Sequence, residues 1–257
     1  MDDRYPRPRK RFGQNFLHDR SVIERIVAAL ELTAASDVLE IGPGRGALTK
    51  RLLEVSDRVV AVELDRDLAR MLRESFDPTR LRVVEGDALE FDFGGETRWK
   101  IAGNLPYNIS KPIAMRLVDN VASIDRAVLM FQREVAQRLV AQPGTPEYGP
   151  LSVLPRAVFE IRRLFDVAPG SFRPRPGVTS SVTSWVARET RPGDAELRRL
   201  RTTLRAVFAA RRKTLTNNVR NALGSVEVLE RAEIDGKRRA QELSPGELFE
   251  LSGFWPL

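Results

Sequence analysis

The sequence predicts an α/β protein, a parallel sheet with helices on both faces, followed by a small all-helical domain. Three observations predict it. Short β-type runs alternate with helical patterns through the first two-thirds of the 257 residues. A glycine-rich turn joins the first of those runs to the next helix. Beyond Arg191-Pro192-Gly193 the apolar residues fall at helical spacing only.

Taken in order, residues 19–30 form an amphipathic helix with Val22, Ile23, Ile26, Val27 and Leu30 on one face. Residues 37–41 are strand-like and 46–54 helical. The Val- and Ala-rich run 58–63 is a second strand. Residues 65–75 are helical through Leu68, Met71 and Leu72. Further strands are expected at 81–84, 99–102 and 124–131, the last after a helix at 110–120. Apolar strands alternating with helices imply a parallel sheet buried on both faces. After Gly149 the runs 151–158, 161–167 and 180–187 read as strands of an antiparallel edge. Leu197, Leu200, Leu204, Val207, Phe208, Leu215 and Val219 then keep helical spacing. Ser244-Pro245-Gly246-Glu247 reads as a capping box with Pro at the first helical position. It opens a last helix with Leu248, Phe249 and Leu251 on its apolar face. The expected domains are 1–190 and 193–257.

Composition narrows the function. At 42% apolar residues the chain can bury a sizeable core. It has no cysteine, which excludes disulfides, thiolate zinc sites and cysteine nucleophiles. His18 is the one histidine, and nothing near it suggests a ligand or base, so neither a Ser-His-Asp triad nor a poly-His metal site is expected, and no metal is expected. There is no long uncharged apolar run and no apolar segment near the N-terminus. A cytoplasmic protein is expected, with no membrane partner. The net charge of +7 favours a polyanionic partner. The cations cluster, at Arg4, Arg7, Arg9, Lys10 and Arg11, and at Arg198, Arg199, Arg201, Arg205, Arg211, Arg212 and Lys213. Arginine-rich coding bias and a solvated helix face are the bland alternatives.

The motifs that carry chemistry sit at strand ends. Glu40-Ile41-Gly42-Pro43-Gly44-Arg45-Gly46 runs from strand into turn, where glycines admit a ligand close to the backbone. Gly42, Gly44 and Ala47 also satisfy the dinucleotide pattern, so an NAD enzyme stays open here. Glu63 ends the next strand, where a carboxylate can accept both hydroxyls of a ribose. Asp87 ends the third; it can bind a cofactor or simply cap the next segment. The strand 99–102 leads into Asn104-Leu105-Pro106-Tyr107. These residues offer an amide oxygen, a backbone carbonyl and an aromatic face, the three things that grip an exocyclic amine on a planar base. A plain strand-to-turn junction is the alternative. Ligands bind at the carboxyl edge of such sheets, which is where all four positions fall.

The Asn104 tetrapeptide resembles the Asn/Asp-x-Pro-Tyr/Phe signature of methyltransferases acting on nucleobase amino groups. Nearly the whole chain resembles the ribosomal RNA adenine dimethyltransferase family. The match includes Arg11-Phe12-Gly13-Gln14-Asn15-Phe16-Leu17 with Asp19, the turn Glu40 to Gly46, and Val62-Glu63. It continues through Glu85-Gly86-Asp87, the Asn104 tetrapeptide, and Phe172-Arg173-Pro174-Arg175-Pro176-Gly177-Val178 with Ser180. Gly13 and the C-terminal helical part look most like the bacterial small-subunit enzymes. The antibiotic-resistance relatives that act on the large subunit are close.

The resemblance implies a Rossmann-like class I methyltransferase domain that uses S-adenosylmethionine (SAM). Asn15, Leu17, Gly42, Glu63, Asp87 and Asn104 would line the SAM site. Asn104, Leu105, Pro106 and Tyr107 would hold the target adenine, with Phe172 stacking on its other face. Without the family, Phe172 reads equally as a hydrophobic plug under a loop. Arg45 departs from the family's usual apolar residue and places a cation near the cofactor's mouth. The implied partners are small-subunit ribosomal RNA and the partly assembled small subunit, met by a monomer. A non-catalytic RNA-binding relative is the reading from another class; the intact Asn104 and Tyr107 argue against it.

Overall fold

The computed structural model describes residues 14–94, 97–106 and 109–256. They form two compact units. The first contains the described residues up to Ala136 together with Glu160–Ala187; the second contains Gln137–Phe159 and the chain from Arg188 onward.

The first unit is built on a seven-stranded sheet. Its strands are β2 (Asp37–Ile41), β3 (Arg58–Glu63), β4 (Leu81–Glu85), β5 (Trp99–Asn104), β6 (Ile124–Gln132), β7 (Phe159–Val167) and β9 (Ser180–Ala187). Their order is β4-β3-β2-β5-β6-β9-β7. The pairs among β2 to β6 are parallel, and β9 runs antiparallel to β6. Helices α1 (Arg20–Ala29), α2 (Ala47–Leu53), α3 (Arg66–Ser75) and α4 (Ser110–Asp119) follow the expected apolar stripes. Val38, Leu39, Ile101, Ala102 and Val128 are buried, as a sheet covered on both faces requires. Asp19 and Asp65 cap α1 and α3 by accepting the N–H groups of Val22 and Asp67. A two-stranded ladder lies apart from the main sheet: β1 (Phe16–Leu17) pairs antiparallel with β8 (Phe172–Arg173).

The link from β4 to β5 carries turns instead of a helix among its described residues. Aromatic rings take the helix's place. Phe91 meets Phe93 edge-on at 5.3 Å and Trp99 at 6.0 Å, and the Trp99 indole donates to the Phe93 carbonyl at 3.1 Å.

Two expectations need correction. Residues 151–158 are a helix, α6 (Pro150–Val158), and not a strand. Their apolar run has no alternation, and such a run fits a buried helix as well as a buried strand. Pro150 decides the local structure by starting the helix, with the Gly149 N–H donating to Ser152 Oγ at 3.1 Å. The outer strand of the sheet is β7. Second, α6 and its flanks belong with the C-terminal helices, so the division is not one cut near residue 190; it falls first inside α5 (Arg133–Val140).

The second unit packs α6 with α7 (Asp194–Val207), and α7 with α8 (Leu215–Leu223) and α10 (Pro245–Gly253). The short α9 (Glu227–Arg231) lies between the last two in sequence. The capping box forms as read: Glu247 N–H donates to Ser244 Oγ at 3.2 Å, and Ser244 N–H to Glu247 Oε2 at 2.7 Å. Arg211, Arg212 and Lys213 are exposed. Arg211, however, is engaged inside the unit, donating to the carbonyls of Pro146 at 2.7 Å and Tyr148 at 3.0 Å. Among the described residues no helix is long and apolar enough to cross a membrane.

Tyr148 is fully buried, and its hydroxyl donates to the Leu243 carbonyl at 2.9 Å. Tyr148→Phe keeps the ring and removes the donor. It should lower the unfolding free energy by about 1–2 kcal/mol in urea titration. An unchanged midpoint and slope would show that this bond contributes nothing.

Candidate active site

A cavity of about 210 Å³ opens at the carboxyl ends of the parallel strands, within the first unit. Across the sheet it meets Asp87 after β4, Glu63 at the end of β3, the glycine turn after β2, and Asn104 at the end of β5. The four positions picked from the sequence are therefore neighbours along one edge.

The turn needs its glycines. Gly42, Gly44 and Gly46 have φ of 68°, 58° and 77°. A Cβ on Gly44 would lie 2.9 Å from the Phe16 ring, and one on Gly46 2.9 Å from the Phe76 ring. A Cβ on Gly42 would point at the Asn104 carbonyl and the Pro106 ring, both 3.9 Å away. At Gly86, beside Asp87, a Cβ would meet open space. The cradle is bare backbone where a ligand must come close.

Glu63 is 6% exposed. Its Oε2 accepts Gly44 N–H and its Oε1 accepts Asp65 N–H, both at 2.9 Å. Each carboxylate oxygen has a second lone pair, so capacity remains for two hydroxyl donors. Burial holds its pKa above the ordinary carboxylate value, against the lowering effect of those N–H bonds. Asp87 is half-buried. It caps the Leu89 N–H through Oδ1 at 2.9 Å, and it lines the cavity.

Glu40 is 1% exposed and accepts the Thr49 hydroxyl at 2.6 Å. Desolvation pushes its pKa up to about 8, and the charge of Glu63 adds to the rise. It keeps a proton that an ordinary carboxylate loses below pH 7, and its bond to Thr49 anchors α2 to the end of β2.

Asn104 Nδ2 donates to the Asn15 carbonyl at 2.9 Å, which turns the amide oxygen the other way. Leu105 is buried, its N–H bonded to the Met130 carbonyl at 3.2 Å, and Pro106 is half-buried at the cavity wall. Tyr107 lies outside the described residues.

Asn15 and Leu17 belong to the segment that closes the cavity's other side. Leu17 pairs with Phe172 in the β1–β8 ladder, and Asp19 Oδ2 accepts the Ser171 hydroxyl at 2.8 Å. Two motifs from opposite ends of the first unit's sequence thus meet. Phe172 lines the cavity at only 2% exposure and packs in the core.

Sequence reasoning passed over three neighbours. Gln14 Nε2 donates to Asp65 Oδ2 at 3.0 Å, tying the closing segment to the start of α3. Leu64, 52% exposed, adds an apolar wall beside Glu63. The signal was available, since Gln14 sits in the quoted motif and Leu64 and Asp65 come directly after the acid.

The donor set fits SAM: a carboxylate with room for two hydroxyls, a second carboxylate across an open Gly86, and a glycine cradle. Fold and site together define a class I methyltransferase. The chain belongs to the ribosomal RNA adenine dimethylase family, whose model matches residues 6–255. Proteins called ribosomal RNA small subunit methyltransferase A from Aromatoleum aromaticum and Geobacter metallireducens are each 45% identical to it. The matches cover 86% and 96% of this chain and 84% and 94% of theirs. A dimethyladenosine transferase from Plasmodium falciparum superposes with a TM-score of 0.77 at 25% identity, covering 92% of this chain and 95% of that one. The 23S rRNA methyltransferase ErmE superposes at 0.71 with 26% identity, covering 94% and 99%. This chain is accordingly an enzyme that methylates adenine in ribosomal RNA, with SAM as the methyl donor.

Glu40 makes stability depend on pH. Its folded pKa, about 8, exceeds the ordinary 4.5, so between those values the folded protein holds a proton that the unfolded chain has lost. Stability from this group is complete below pH 4.5 and falls as pH rises to about 8. The slope is at most roughly 1.4 kcal/mol per pH unit. Glu40→Gln should remove that slope, so the variant gains on the wild type from pH 5 to pH 8 in urea titrations. Parallel pH profiles would refute the protonated assignment.

Proposed function

We propose that this enzyme converts adenines of small-subunit ribosomal RNA to N6,N6-dimethyladenine within a partly assembled subunit. The observation that carries the reading is the fixed amide of Asn104. With Nδ2 committed to the Asn15 carbonyl at 2.9 Å, the amide presents an acceptor at the cavity. The Leu105 carbonyl comes next in the chain and supplies the second acceptor.

Adenine N6 is a weak nucleophile because its lone pair is delocalised into the ring. SAM supplies the electrophilic methyl when bound. Asn104 and the Leu105 carbonyl hold the N–H bonds and turn the lone pair out of the ring plane, so catalysis is mainly positioning. Pro106 stiffens the strand end that carries both. No strong base is needed, because the alkylated nitrogen is acidic and loses its proton to water. After the first methylation one N–H remains, and one acceptor suffices for the second.

Gly42 gives the cofactor room, Glu63 takes its ribose hydroxyls, and Asp87 takes its adenine amine. Asn15, Leu17 and Asn104 complete that wall. Tyr107 and Phe172 replace the stacking that a flipped target base loses. For Phe172 this requires the ring to turn out of the packing that leaves it 2% exposed.

The helical unit, Gln137–Phe159 with the chain from Arg188 onward, binds RNA phosphates. Arg198, Arg201, Arg205, Arg212 and Lys213 are among its exposed cations, and the sequence carries a further basic stretch at 4–11, outside the described residues. The enzyme works as a cytoplasmic monomer. The small subunit is favoured because the relatives bearing that name are 45% identical, against 26% for the 23S enzyme.

Asn104→Ala should lower methyl transfer by on the order of 10²–10³ while SAM still binds in calorimetry. Glu63→Ala should do the reverse, weakening SAM binding first. Normal turnover of the Asn104 variant sinks the assignment.

The substrate is tested by offering unmethylated small subunits, naked small-subunit RNA and large subunits with labelled SAM. Nuclease digestion and mass spectrometry then identify the base. Dimethyladenine in small-subunit particles is expected. Label confined to large-subunit RNA, or monomethyladenine as end product, refutes the proposal.

A further inference from the structure

The cavity's charges are uneven. Among the described residues that line it are three carboxyl groups, Glu40, Glu63 and Asp87, and one cation, Arg45. Binding of the ribose, the adenine and the target base calls on Glu63, Asp87 and Asn104, and on no cation.

Arg45 stands in the glycine turn, half-buried. Its guanidinium lies over the Phe16 ring, 4.6 Å from the centroid. Phe16 is itself wedged against the turn: a Cβ on Gly44 would touch its ring at 2.9 Å, and its backbone is fixed by pairing with Arg173. The stack therefore fixes the guanidinium at the cavity wall between the turn and the closing segment. Stacking uses the face of the guanidinium, whereas its hydrogen-bonding fork lies along the edge.

The order of groups along the sheet edge indicates what that fork meets. This step rests on the reading of the cavity as the SAM site. Asp87 and Glu63 mark the adenosine half, on β4 and β3, and Asn104 on β5 marks the reacting methyl. The methionine half, joined to the same sulfur, is left the space over the glycine turn and the segment 14–17. It carries an ammonium and a carboxylate, and Arg45 is the cation lining that space.

We propose that Arg45 binds the α-carboxylate of the cofactor's methionine end and sets the site's preference for it. The contact is a charge-assisted hydrogen bond, bidentate when the fork is aligned. It lets the enzyme select intact SAM over analogues that lack the acid.

The test is calorimetric binding of SAM and of decarboxylated SAM to the wild type, Arg45→Leu and Arg45→Lys, with thermal unfolding to check folding. The wild type should prefer SAM by about tenfold or more. Arg45→Leu should lose that factor for SAM and be indifferent to the missing carboxylate. Arg45→Lys should recover part of it. Equal weakening of both ligands in Arg45→Leu would mean that Arg45 only props Phe16, and overturns the proposal. So does an unchanged SAM affinity with weaker RNA retention, which would assign Arg45 to a phosphate. A wild type that binds neither ligand would fail the SAM reading itself, whereas a wild type that binds both equally fails only the role of Arg45.

Discussion

The site depends on one buried carboxylate joining two turns. Glu63 takes the Gly44 N–H with one oxygen and the Asp65 N–H with the other, each at 2.9 Å. The first bond holds the glycine turn after β2, and the second holds the entry to α3. Both turns would otherwise present backbone donors to a poorly solvated cavity, where an unmet N–H is costly. The same carboxylate lines the cavity, so one side chain both shapes the pocket and charges its wall. Burial raises its pKa, and the two N–H bonds oppose that rise.

A second constraint is imposed from the far side. The closing segment is tied at Gln14 to Asp65, at Asn15 to Asn104, at Phe16 to Arg173 and at Leu17 to Phe172. Its importance lies in the Asn15 carbonyl. A backbone acceptor decides which end of the Asn104 amide faces the cavity, and no side-chain rotamer of Asn15 can undo that. Orientation of the Asn104 amide is thereby coupled to the seating of a segment remote in sequence.

Much of this was legible in the chain. Alternating runs gave the parallel strands, because burial on both faces leaves apolar stretches bounded by turns. Gly42, Glu63, Asp87 and Asn104 stood at strand ends, and the rule that ligands bind there was enough to group them. What stayed hidden was long-range. Nothing local indicates that Phe172 pairs with Leu17, or that residues 151–158 coil; an unbroken apolar run fits a helix or a strand until its partners are known. Glu40 could be recognised as an acid by the turn, but its protonation comes from burial, which only the fold reveals. Arg211 looked like its neighbours Arg212 and Lys213 because its carbonyl partners, on Pro146 and Tyr148, lie more than sixty residues away.

The discontinuity of the helical unit also bears on how the chain is made. Residues 137–159 leave the ribosome well before Arg188 does, and α6 then lacks the α7 surface on which it packs. Tyr148 likewise awaits Leu243, ninety-five positions later. The sheet, complete once β9 has emerged at Ala187, can assemble while the chain is still growing. The helical unit cannot, since α6 waits for α7 and the Tyr148 hydroxyl waits for Leu243. Synthesis therefore imposes a sequence of events: the sheet forms first, and an apolar helix is held in waiting for α7.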